Sequence, residues 1–74
     1  MEAQDLVYGD HFKLAEPLEK GNDLDLLVWL GDEYDEDWLW CLVVETMAPV
    51  AVSKFYEVEL WHKVQGKWKI KAGK

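Results

Sequence analysis

The chain has 74 residues, half of them hydrophobic, with 15 acidic residues against 8 lysines, no arginine, one cysteine and a net charge of −7. That length makes one domain, residues 1–74, which buries only about 60% of the surface its unfolded form exposes. A single cysteine excludes an internal disulfide and a cysteine-based zinc site, and the acidic balance disfavours phosphate backbones and anionic lipid while selecting basic protein surfaces. No staple is available, so the 5 Trp, 3 Tyr and 2 Phe must supply an efficient core.

Residues 1–6 carry no basic leader pattern, and together with residues 73 and 74 they are expected to be flexible ends of the domain. The longest unbroken apolar run, residues 38–44, is far short of the roughly 20 residues that span a bilayer, so an intracellular, cytoplasmic protein is expected. A first strand is expected over residues 8–14, where apolar and polar residues alternate before Glu16-Pro17. Residues 16–23 then read as a connecting loop with one short helical turn. Residues 24–30 form an apolar run between Gly21-Asn22-Asp23 and Gly31-Asp32, the pattern of a short strand buried on both faces. Residues 38–46 make the next strand, with Trp38, Trp40, Leu42 and Val44 on one face and at least one of the two Trp in the core.

Residues 50–63 contain the following strand, with Tyr56, Val58, Leu60 and His62 alternating against Glu57, Glu59, Trp61 and Lys63. The last strand, residues 67–72, sets Trp68, Ile70 and Ala72 against Lys67, Lys69 and Lys71. A three-residue loop, Val64-Gln65-Gly66, with Gly66 as a left-handed bulge residue, pairs Glu59 with Lys71, Leu60 with Ile70 and His62 with Trp68. A two-residue loop instead places Leu60 opposite Lys71, and the first register is preferred because it joins opposite charges. Five short, mostly antiparallel strands in so small a chain predict an all-β fold: a five-stranded SH3-like barrel or a highly twisted sheet.

Charge is segregated along this framework. Residues 1–60 hold all 15 acids and 3 Lys, a net of −12, whereas residues 61–74 hold 5 Lys and no acid, a net of +5. The densest acidic segment is Asp32, Glu33, Tyr34, Asp35, Glu36 and Asp37, running directly into Trp38 and Trp40. These eight residues are the candidate partner-binding site, which Asp23, Asp25 and Glu45 could enlarge. An EF-hand loop is excluded because Tyr34 and Leu39 interrupt every ligand frame. An extended acidic run advances about 3.3 Å per residue, close to the 3.4 Å phosphate spacing along one DNA strand, so it can imitate a row of phosphates.

No glycine-rich phosphate loop, paired-histidine motif or nucleophile elbow occurs, and no catalytic residue, metal or cofactor is assigned. His11 and His62 lie far apart, His62 is expected against Trp68, and Cys41 is expected inside a buried strand. The expected function is a non-enzymatic module whose acidic, aromatic face docks on a basic surface of a nucleic-acid-handling protein, with no direct nucleic acid or membrane contact. A DNA-mimic inhibitor of the viral type is its concrete form. The alternative is an SH3-like adaptor or small assembly subunit that takes a basic peptide in an aromatic groove around Trp29 and Trp61.

Overall fold

The computed structural model describes residues 1–15 and 25–71. A 3-10 turn, Ala3–Asp5, precedes six strands: β1 His11–Leu14, β2 Leu27–Glu33, β3 Trp38–Val43, β4 Pro49–Ser53, β5 Val58–Val64 and β6 Lys67–Ile70. All pair antiparallel in one sheet of order β4-β3-β2-β1-β5-β6. The all-β expectation holds, but with six strands in place of five, and no pairing joins β4 to β6 to close a barrel among the described residues. The connecting loop and helical turn expected over residues 16–23 fall outside the described residues, as do Ala72 and Lys74. No helix among the described residues is long and apolar enough to cross a membrane.

The sixth strand arises where one strand was expected over residues 50–63. The chain turns at Ser53, whose carbonyl accepts from the Tyr56 amide at 3.1 Å while its hydroxyl accepts from the Phe55 amide at 3.2 Å. This turn forces the sheet to curl. Strands β4 and β5 stand four places apart in the sheet, about 19 Å if it were flat. A tight turn between Ser53 and Tyr56 followed by two extended residues reaches only about 14 Å.

The opening segment fills the gap that the curl leaves, contrary to the expectation of a loose end. The Ala3 amide donates to the Tyr56 carbonyl at 2.9 Å, Gln4 to Lys54 at 2.8 Å, and Val58 to Met1 at 2.8 Å. Ala3 and Leu6 are consequently buried, together with Phe12, Leu27, Leu39, Cys41, Val52 and Val58, on the concave side of the sheet.

Pairing fixes which face each residue takes. Phe12 lies across from both Leu27 and Leu60, and Leu39 across from Val52. Core residues of β3 are therefore Leu39, Cys41 and Val43. Trp38, Trp40 and Leu42 take the opposite face, reversing the expectation that one of these Trp anchors the core. Bulk favoured the Trp residues; the phase of the neighbouring strands decides against them.

The β5–β6 hairpin also departs from the expected register. Lys63 pairs with Trp68, His62 with Lys69 and Trp61 with Ile70, while the Lys71 amide donates to Leu60 at 2.8 Å. The loop is the two-residue Gln65-Gly66, both at positive φ (51° and 81°), the mirror-image turn whose twist matches that of paired strands. His62 thus faces Lys69 rather than Trp68. Gln65 is strained where Asn is favoured, so Gln65→Asn should raise stability by about 0.5 kcal/mol, whereas Gly66→Val should lower it by about 1 kcal/mol or more. Urea unfolding of the two variants checks this; equal midpoints would place the turn elsewhere.

Candidate functional site

The acidic segment forms the tip of the β2–β3 hairpin. Its base is shaped by a bulge: Trp29 pairs with Cys41 but Asp32 pairs with Trp40, so Leu30 and Gly31 are extra residues on β2. Gly31 has φ of +89°, and a Cβ there would lie 3.2 Å from the Tyr8 ring. The Trp29 indole N–H donates to the Asp32 carbonyl at 2.8 Å and pins the bulge from the core side. Gly31, which reads in the sequence as a strand terminator, instead lets β2 continue through Asp32 and Glu33.

Beyond Glu33 the chain bends over residues 34–37. The Tyr34 amide donates to the Trp38 carbonyl at 2.9 Å, and the Asp37 amide donates to the Asp35 carboxylate at 2.9 Å, a side-chain turn that holds the tip. The Lys54 amide donates to the Asp37 carbonyl at 2.9 Å and ties the tip to the end of β4. Only Asp32 and Glu33 are extended. The acids consequently form a knob, and the straight run expected to match a phosphate row does not exist.

Side-chain orientation divides the eight residues. Asp32 shares the outer face with Trp40, its partner across the ladder. Tyr34 packs on Trp40 with ring centroids 5.3 Å apart and planes tilted by 36°. Both rings remain open to solvent, Tyr34 at 63% and Trp40 at 37% exposure. Asp35, Glu36 and Asp37 project around them, fully on the surface. Glu33 takes the inner side, where Lys54 Nζ pairs with it at 3.0 Å. Trp38 is half-buried and meets Tyr56 edge-on at 6.0 Å, so it supports the knob rather than presenting a surface.

Four carboxylates, on Asp32, Asp35, Glu36 and Asp37, have no cationic partner among the described residues. Asp25 and Glu45 do not enlarge this patch: Asp25 precedes β2 and Glu45 follows β3, at the end of the hairpin away from the tip. Asp23 lies outside the described residues. Among the described residues no group of three His, Cys, Asp or Glu side chains converges as for a metal ion.

Lys54 was not singled out in the sequence, because its contacts with Glu33 and Asp37 depend on β4 pairing with β3. A second cluster was also missed. On the outer face of the other half of the sheet, His11 stacks on Trp68 at 4.8 Å, and Lys13 Nζ lies 4.2 Å over the Trp61 ring. Lys63 Nζ stands 6.0 Å from the Trp68 ring. The signal for this cluster is the sequence alternation of β1, β5 and β6, which becomes legible only once the register is known. Trp29 and Trp61 occupy opposite faces, since Trp29 follows core-facing Leu27 by two residues and Trp61 pairs with outward His11. No protein-family model matches this chain, and neither curated proteins nor solved structures yield a match.

Proposed function

We propose that the β2–β3 tip is a docking knob that inserts into a basic surface of a nucleic-acid-handling protein, without catalysis. The observation that carries this reading is the solvent-open Tyr34–Trp40 pair ringed by the carboxylates of Asp32, Asp35, Glu36 and Asp37, which have no cationic partner among the described residues. Unpaired charges steer encounter with a basic partner, and exposed aromatics supply the desolvation that holds it. Because the acids are gathered on a turn, mimicry of nucleic acid here means occupying a phosphate pocket rather than tracing a strand, and inhibition by occupancy is its proposed form. The curl of the sheet supports an SH3-like barrel as the finer description of the architecture. The adaptor alternative loses its groove, because Trp29 and Trp61 do not share a face.

The test compares the native protein with the triple variant Asp35→Lys, Glu36→Lys, Asp37→Lys, using an arginine-rich peptide and a folded basic DNA-binding domain as probes. Association with the domain should slow by about tenfold or more in the variant, while folding stability falls by no more than about 1.5 kcal/mol, the share owed to the Asp35 side-chain turn. Trp40→Ala should remove the component of binding that survives as the Debye length falls from roughly 10 Å to 3 Å. Duplex DNA should displace the knob from the domain. Equal binding by the charge-reversed protein would reject the reading, and binding of the peptide alone, indifferent to DNA, would favour an adaptor.

A further inference from the structure

The edge strand β6 carries a row of cations that no acid among the described residues neutralises. In the observed register Lys67 lies across from Val64, Lys69 from His62 and Lys71 from Leu60. The register that joins Glu59 to Lys71 is not formed; Glu59 instead pairs with Lys13 in β1 and faces the other side of the sheet. No carboxylate among the described residues pairs with Lys63, Lys67, Lys69 or Lys71, although the chain has 15 acids. Ile70, 56% exposed, and Trp68, half-buried, alternate with these lysines and take the opposite face of β6, with Trp61 and Lys63. Among the described residues β6 pairs only with β5, which makes it an edge of the sheet.

We propose that this basic edge receives the acidic tip of a second copy of the chain, giving weak head-to-tail self-association. The occupant follows from complementarity. The tip offers Asp32, Asp35, Glu36 and Asp37 beside Tyr34 and Trp40, and the edge offers Lys67, Lys69 and Lys71 in one row on one face, none of these charges paired among the described residues. The lysine row from 67 to 71 is about 13 Å long, which accommodates a compact acidic turn. Tip and edge are different surfaces, so a single such contact leaves one tip and one edge free for a further copy. The inference rests on the tip being a docking knob, and it makes self-association a competitor of partner binding.

Charge predicts an unusual salt response. When the Debye length is about 30 Å, comparable to the molecule, copies each carrying −7 repel as wholes. At about 8 Å the local attraction between tip and edge outlasts that repulsion, and at about 3 Å it too is screened. Self-association followed by sedimentation velocity up to about 1 mM protein should therefore be strongest near 0.15 M salt and weaker at about 0.01 M and 1 M.

The variant Lys67→Glu, Lys69→Glu, Lys71→Glu and the tip variant Asp35→Lys, Glu36→Lys, Asp37→Lys should each self-associate at least tenfold more weakly. Mixed in equal amounts they should recover association, because the acidic tip of the first meets the basic edge of the second. A monomer at every salt concentration, association rising steadily with salt, or no recovery on mixing would overturn the proposal. The edge variant also separates the two readings. It should still bind the arginine-rich peptide, so retained peptide binding with unchanged self-association removes the edge contact alone, whereas peptide binding lost only in the tip variant leaves the docking knob standing.

Discussion

Phe12→Ala should cost about 3–5 kcal/mol and leave the protein largely unfolded at moderate temperature. Phe12 is fully buried in the central strand, between Leu27 on one side and Leu60 on the other, and it touches the cluster that Ala3 and Leu6 close from below. Truncation removes the transfer free energy of the ring and leaves a cavity that paired strands on both flanks prevent from collapsing. A 74-residue domain has about 4–11 kcal/mol in total, so the loss is a large share of it. Phe55→Ala, at an exposed turn, should change stability by no more than about 0.5 kcal/mol. Urea unfolding followed by Trp fluorescence measures both; a cost under about 1 kcal/mol for Phe12→Ala would show that the core is not assembled around β1.

Alkaline pH should destabilise the fold through Cys41. Its side chain is wholly buried in β3, and desolvation raises the thiol from 9.0 to about 12. The folded state therefore holds the proton more tightly than the unfolded state. The resulting stability is fully present below pH 9 and is lost as pH rises through 12, with an upper bound on the order of 4 kcal/mol. The informative quantity is the difference between the native protein and Cys41→Ala, which isolates the contribution of the thiol. The native protein should lose more stability than the variant between pH 9 and 11, and its thiol should label slowly at pH 8 while folded, since the thiolate is the nucleophile. Parallel pH profiles, or rapid labelling, would place the thiol at the surface.

The strands were legible where alternation is strong and turns are marked by Gly or Pro, as in β6 after Gly66 and in β3, which ends at Val43 rather than at the expected 46. They were not where the turn is built from other groups. Ser53 breaks the run over residues 50–63 with its carbonyl and hydroxyl, chemistry that Ser-Lys-Phe-Tyr does not announce. Gly31 reads as a stop and acts as a bulge at positive φ, with the ring of Tyr8, distant in sequence, beside where a Cβ would stand. Gln65 is an uncommon residue for a mirror-image turn, and the charge pairing of Glu59 with Lys71 argued for the register that does not form. At the site, the cluster of acids with Tyr34 and Trp40 was visible in the sequence. That Glu33 is neutralised while its neighbours are not depends on Lys54 arriving from β4, a fact of topology rather than composition.

The strand order has a kinetic meaning as well. Strands β2, β3 and β4 follow one another along the chain, and the tip closes a loop of only four residues, 34–37. Strand β1 finds most of its pairing with β5, where His11 meets Trp61 across 50 positions of sequence (61 − 11). Closing the longer loop costs about 2 kcal/mol more chain entropy than closing the tip. The meander that displays the acidic knob is thus the locally encoded part of the molecule, and the core behind it is completed only when the last third of the chain returns to its beginning.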